Sequence, residues 1–232
     1  MDSALARYNQ VVERIHNAAQ RSGQDPQKIA LVAVSKFVSF DRLAPFFKAG
    51  ITCFGENRVQ EALAKWTADG SAPVRAQSEI HLIGHLQSNK ARKAAGFFDM
   101  IQSLDGIELA DTLNRCAAEA KRKLACLVQV KISQEQTKEG LAPELLDEFL
   151  GRRSRWPNLD IRGLMGIAPQ TETAEAARPA FHALRRLFEK TKLQILSMGM
   201  SGDFEIAIEE GSTMVRIGTA LFGPRTVAGS VL

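Results

Sequence analysis

Eight short apolar runs recur along this chain with helix-like stretches between them, and that alternation limits the fold more than any other feature. The runs are "IALVAVS" (29–35), "TCFGE" (52–56), "IHLIG" (80–84), "DMIQSL" (99–104), "ACLVQVKI" (125–132), "DIRGLM" (160–165), "LQILSM" (193–198) and "TMVRIG" (213–218). Helix punctuation separates them. Ser39 suits the N-cap and Gly50 the C-terminal stop of "FDRLAPFFKA", Gly70 and Gly96 are expected to end the next two helices, and Pro143 suits a first turn. Pro179, inside "TAEAARPAFHALRRLFEKTK", predicts a kink or a late helix start. Eight strands alternating with helices over 232 residues predict an α/β fold, a single (β/α)8 TIM barrel. A doubly wound open sheet is the runner-up; its dinucleotide-binding form lacks support, because no G-x-G-x-x-G follows the first run.

The barrel reading leaves one gap. Only "TALFGPRTVAGSVL" follows the eighth run, too little for a full closing helix. Residues 1–22 carry Leu5, Tyr8, Val12, Ile15 and Ala19 at helical spacing, and are expected to form an extra N-terminal helix covering the last and first strands. No stretch resembles a linker, so 1–232 reads as one domain without a C-terminal β-domain.

Composition excludes several classes. With no apolar run of about 18 residues, no membrane span is expected. The N-terminus lacks a secretory signal pattern, and Cys53, Cys116 and Cys126 are odd in number with no C-x-x-C pair, which points to a reducing cytoplasm without disulfides. The pair His81 and His85 forms no metal-ligand motif with Asp, Glu or Cys in sequence, so no metal site is expected. The +4 net charge is dispersed and aromatics make up 6%, thin for base stacking, so nucleic acid is not an expected partner.

The first run ends on a charge. Strand side chains alternate faces, so Val32, Val34 and Lys36 share one side of "LVAVSK". On the lumen side, Lys36 reaches the C-terminal mouth where barrel active sites form; the other reading is a lysine that snorkels into solvent. A partly desolvated amine there can form a Schiff base, as in carbonyl-directed aldolases and in holders of pyridoxal 5′-phosphate. An anion site favours the second. In "SMGMSGDFEIAIEEG" (197–211), Ser201, Gly202 and Asp203 open a short helix where N–H groups attract an anion, unless Ser201 or Asp203 simply caps that helix. Gly218 and Thr219 follow the eighth run and add backbone N–H groups and a hydroxyl. Arg216 faces the lumen, and either pairs with a carboxylate such as Glu56 or meets a pyridine nitrogen, which it would keep unprotonated.

These residues lie in motifs that resemble the pyridoxal phosphate homeostasis proteins, a family with the barrel of fold-type III enzymes such as alanine racemase. The motifs are "LVAVSK" (31–36), "FGENRVQE" (54–61), "HLIGHLQSNK" (81–90), "QTKEGL" (136–141), "RGLMGIAP" (162–169), "LSMGMSGD" (196–203) and "GSTMVRIGTALFG" (211–223). The resemblance implies that Lys36 carries pyridoxal 5′-phosphate as a Schiff base. It implies that Ser201, Gly202, Gly218 and Thr219 surround the phosphate, that Arg216 meets the ring nitrogen, and that Asn57 sits near the ring or its hydroxyl. His81 and Met198, at strand ends, are expected to line the pocket. Arg58 replaces a usual aromatic, which bears on the rim and not on the cofactor-holding positions.

Fold-type III racemases pair the lysine with a tyrosine from an extra β-domain; the single tyrosine here is Tyr8, on the N-terminal helix. The expected role is therefore cofactor buffering and delivery within vitamin B6 homeostasis, with no catalytic residues. A minor racemase-like activity is the alternative. Apo-enzymes that use the cofactor are the expected protein partners, a monomer the expected state, and Lys138 a candidate for capturing the aldehyde during exchange.

Overall fold

A computed structural model describes residues 4–133 and 139–224. Eight parallel strands close into a barrel in sequence order: β1 (Ala30–Val34), β2 (Cys53–Glu56), β3 (Glu79–Leu82), β4 (Met100–Leu104), β5 (Leu124–Gln129), β6 (Leu159–Met165), β7 (Ile195–Ser197) and β8 (Met214–Ile217). All eight expected runs are strands. Around them lie α1 (Ala4–Arg21), α2 (Phe40–Lys48), α3 (Val59–Trp66), α4 (Ala72–Arg75), α5 (Ala91–Phe97), α6 (Ile107–Glu119), α7 (Leu146–Gly151), α8 (Arg178–Glu189), α9 (Phe204–Glu209) and α10 (Thr219–Phe222). No described helix is long and apolar enough to cross a membrane.

The core has two layers because each strand is covered on both faces, which is why the runs read as continuously apolar rather than alternating. Val32, Met100, Ala125, Leu127, Met165 and Met214 fill the lumen, whereas Ala33, Phe54, Ile80, Ile101 and Val215 pack under the helices. Closure comes from β1 against β8, with Val32 opposite Arg216 and Ala33 opposite Ile217. Between β6 and β7 the backbones approach so closely that a Cβ on Gly163 would stand 1.9 Å from the Ile195 carbonyl oxygen.

Helix α1 packs against α9, α10 and α2, which follow β7, β8 and β1. Since α10 is a single turn, α1 fills the place a helix after β8 would take. Arg14 seats it, donating to both carboxylate oxygens of Glu205 at 3.0 and 2.8 Å and lying over the Phe204 ring. The buried stripe matches the expected one in part. Ile15 and Ala19 are buried and Tyr8 packs against the core, but Val11 and Ala18 are buried too while Leu5 and Val12 are exposed, because the neighbouring helices select a slightly turned face.

Two punctuation marks also read differently. Gly96 lies inside α5, which runs on to Phe97, so it does not stop that helix. Ser39 occupies the N-cap of α2 without a side-chain capping bond. Pro179 does mark a late start: a 3-10 turn over Ala174–Ala177 precedes α8.

Because Ile15 is buried against the barrel, Ile15→Ala is expected to cost about 2–4 kcal/mol in chemical denaturation. A cost near zero would mean that α1 is a dispensable appendage.

Candidate functional site

Lys36 stands just beyond β1, half-buried, where the chain turns sharply away from the barrel. The turn is tight because Val38 N–H donates back to the Ser35 carbonyl at 3.0 Å and Phe37 takes a positive φ of 60°. A bulky residue in that region carries strain, which surrounding structure must hold in place. Glu56, at the end of β2, supplies the hold. One of its oxygens, Oε1, accepts from Ser35 Oγ at 2.7 Å, Lys65 Nζ at 2.8 Å and Trp66 Nε1 at 3.1 Å. Lys65 also donates to the Ser35 carbonyl, so the residue before Lys36 is fixed through both side chain and backbone.

Closure of the barrel brings Lys36 beside the end of β8. Lys36, Val34, Arg42, Gly218, Thr219 and Phe222 line one cleft at the mouth. The Gly218 and Ala220 N–H groups both donate to Ser201 Oγ, at 3.2 and 3.3 Å. Two N–H groups converging on one oxygen form a nest of the kind that receives an anion. Ser201 thus turns toward β8 instead of capping α9. Asp203 occupies the N-cap position of α9 but makes no side-chain capping bond; its Oδ1 accepts from Met200 N–H at 2.6 Å. Burial pushes the Asp203 carboxyl above its usual range. Gly202 is exposed beside Ser201, with open space around a would-be Cβ.

Arg216 is 3% exposed and points into the lumen below this cleft. Its guanidinium donates to Ser197 Oγ at 2.7 Å and to the Gly166 carbonyl at 2.9 Å. Burial pushes it down to about 10, opposed by the charge of Asp203, so it remains a cation at neutral pH. The alternative pairing with Glu56 does not form. Glu56 follows the outward-facing alternation of β2 and is spent on Ser35, Lys65 and Trp66.

The remaining expected residues are more dispersed. Asn57 is half-buried on the same rim, lining a neighbouring hollow with Arg58, His85 and Lys90. Met198 is wholly buried in the layer between strands and helices, not in the lumen. His81 faces the lumen but toward the strand starts, with Cys53, Glu79 and Gln102 as neighbours. Cys53 Sγ lies 3.7 Å from both imidazole nitrogens, hence over the ring face and off the in-plane lone pair of either. That is a packing contact rather than a ligand arrangement. Burial, with Glu79 and Asp99, also pushes the Cys53 thiol well above its usual range. His85 sits on the rim with Asp105 and Glu139, at 3.5 and 3.1 Å. Lys138 lies outside the described residues.

Sequence reasoning did not reach Ser197, Gly166 or the Glu56–Lys65 clamp. Only Glu56 left a trace, as a carboxylate ending an apolar strand.

Residues 8–226 match the family described as alanine racemase, N-terminal domain. A pyridoxal phosphate homeostasis protein of Aquifex aeolicus is 40% identical over 229 residues, covering 96% of this chain and 99% of its own. The chain belongs to this family. A second relative of that name, from Pseudomonas aeruginosa, is 42% identical over 217 residues, 93% of each chain. Among solved structures, PipY of Synechococcus elongatus PCC7942 with pyridoxal phosphate bound superposes with a TM-score of 0.78 at 38% identity, covering 92% of this chain and 100% of PipY. An alanine racemase of Clostridium difficile 630 shares the barrel (TM-score 0.70, 15% identity), over 98% of this chain and 58% of that one.

Removing one partner of a buried pair strands the other charge. Glu56→Leu is therefore expected to lose about 3–5 kcal/mol in urea unfolding, and adding Lys65→Met to recover most of that loss. Equal stabilities for the single and double variants would show that Lys65 simply swings out to water.

Proposed function

We propose that this protein holds pyridoxal 5′-phosphate at the barrel mouth and serves its buffering and delivery within the cell. The observation that carries this reading is the cleft shared by Lys36, Gly218 and Thr219, with the N–H groups of Gly218 and Ala220 converging on its edge. A primary amine and an anion nest in one cleft fit a ligand that bears both an aldehyde and a phosphate. The buried cation of Arg216 below them fits the ring nitrogen. When bound, pyridoxal 5′-phosphate supplies an aldehyde that a primary amine captures reversibly with loss of water.

Each residue then has a physical task. Lys36 Nζ anchors the aldehyde carbon, and the Glu56 clamp fixes the turn that aims it. Ser201, Gly202, Gly218 and Thr219 receive the phosphate oxygens, the Ser201 hydroxyl yielding the two N–H groups it accepts in this structure. Arg216 faces the ring nitrogen and, being cationic, disfavours a second positive charge there. Asn57 approaches the ring edge from the rim, while His81 stands deeper in the lumen and Met198 faces the helix layer, away from the ligand.

The role is holding rather than turnover. Arg216 leaves the ring a weak electron sink. Tyr8, the chain's only tyrosine, lies beside Gly50 and lines a hollow with Ala30 and Thr52 at the strand starts, the opposite end from Lys36. It cannot act as a second base across the mouth. The whole chain works as one cofactor-holding unit, as a monomer in the cytoplasm, and hands the cofactor to apo-enzymes, with Lys138 aiding that exchange.

Borohydride treatment of the cofactor-loaded protein, followed by peptide mapping, is expected to find the pyridoxyl group on Lys36 and to find none in Lys36→Ala. A group trapped on another lysine would sink the assignment. Lysine-dependent racemisation at rates typical of enzymes, roughly 1–10³ per second, would replace the carrier role with catalysis.

A further inference from the structure

A buried polar chain crosses the barrel lumen from Arg216 to the floor, and cofactor holding alone leaves it unexplained. Arg216 Nη1 donates to Ser197 Oγ at 2.7 Å, and Ser197 Oγ donates to Gln102 Oε1 at 2.7 Å. The Gln102 amide nitrogen lies 3.0 Å from His81 Nδ1, and His81 Nε2 lies 3.3 Å from Glu79 Oε2. Arg216, Ser197, Gln102 and His81 are all buried, whereas Glu79 is exposed at the start of β3. The links come from β8, β7, β4 and β3, so the chain spans the barrel instead of following one strand.

Both ends of the chain set its direction. A guanidinium can only donate, so Ser197 Oγ accepts from Arg216, and its single proton finds an acceptor in Gln102 Oε1 because the amide is turned with its oxygen toward Ser197. That leaves the amide N–H group facing His81, whose Nδ1 must accept, and the neutral ring then carries its proton on Nε2. Glu79 receives that N–H. Consistent with this, the His81 hydrogen bond is the main cause holding the Glu79 carboxyl below its usual range. Every donor points from Arg216 toward Glu79, so the bonds polarise one another in a single sense. An amide in the middle does not hand a proton along; what passes through the chain is orientation.

We propose that Gln102 and His81 are positioning residues for Arg216, with Glu79 at the barrel floor setting the tautomer that orients the chain. The consequence is that the Ser197 proton is taken by Gln102 Oε1 and kept away from the guanidinium. Arg216 is thereby kept in place and charged where a ring nitrogen would meet it. Asp203 adds a favourable field at Arg216 from the mouth side, and Arg162 acts on Glu79 from outside. The effect on the cofactor rests on the proposed function; the orientation of the chain does not.

The two parts are tested separately. In ¹⁵N NMR of the protein without added cofactor, His81 is expected as the Nε2–H tautomer in the wild type and in Glu79→Gln, which keeps an acceptor. A mixed tautomer is expected in Glu79→Ala. Solvent exchange of the Arg216 guanidinium protons is expected to rise several-fold in Glu79→Ala and about tenfold in Gln102→Leu. Loss of pyridoxal 5′-phosphate from loaded protein should accelerate in the same order, with Glu79→Gln close to wild type. An Nδ1–H tautomer in the wild type, or unchanged tautomer and guanidinium exchange in Glu79→Ala, overturns the proposal. Should Gln102→Leu fail to fold, the exposed Glu79 variants decide alone. A wild type with the expected tautomer that takes up no pyridoxal 5′-phosphate would instead sink the cofactor reading and leave the positioning intact.

Discussion

The parallel pairing of β1 with β8 is the interaction on which the site depends. It joins the first strand to the last, sets Val32 opposite Arg216, and so carries Lys36 to the edge of Gly218 and Thr219. No local feature of the chain could do this, because the amine and the anion nest come from opposite ends of the sequence. The pairing is itself protected by α1, which covers the outer face where, among the described residues, β8 is followed only by the one-turn α10. Stability and function are therefore coupled at the barrel seam: whatever loosens α1 also loosens the register that aligns Lys36 with the nest.

A second constraint is the cost of burying charge. Lys65 and Arg216, two of the cations near the mouth, are managed differently. Lys65 is neutralised directly by Glu56, within 2.8 Å, in a cluster that also ties down Ser35 and Trp66. Arg216 has no carboxylate in hydrogen-bonding contact among the described residues; it is held by Ser197, the Gly166 carbonyl and the field of Asp203. The difference follows from what each must do. A directly paired guanidinium would have its charge cancelled by the carboxylate, whereas neutral acceptors leave that charge free to act on a ligand.

The barrel was legible in the sequence because strands covered on both faces give unbroken apolar runs, and eight such runs at this length admit few architectures. The positions of Lys36 and Arg216 were legible for a related reason: charges inside those runs break the pattern. What stayed hidden depends on rotation and distance. The face of α1 was legible at Ile15 and Ala19 but not at its edge, because Leu5 and Val12 fit a helical spacing with them as well as Val11 and Ala18 do, and only the packing of α2, α9 and α10 selects between them. Ser197 and Gln102 stayed hidden because a small or neutral polar residue in a strand gives no sign of which face it serves or which partner it meets across a lumen. His81 was visible as a histidine in an apolar run, and strand alternation puts Glu79 on its face, but its depth also follows from Cys53 on the neighbouring strand, which no spacing rule joins to it.

The arrangement also bears on the holding role proposed for this barrel. Catalysis on a pyridine ring gains from groups that take up and return protons on both sides of the reacting carbon. Here the polar groups are spent on restraint. Glu56 Oε1 accepts from three donors, and Ser197 is committed to Arg216 and Gln102. The cleft also borders solvent at Thr219 and at the strained turn of Phe37, which is 61% exposed and leaves an exit beside the amine. Firm positioning from below and openness from above are what a protein needs if it is to keep a cofactor and still give it away.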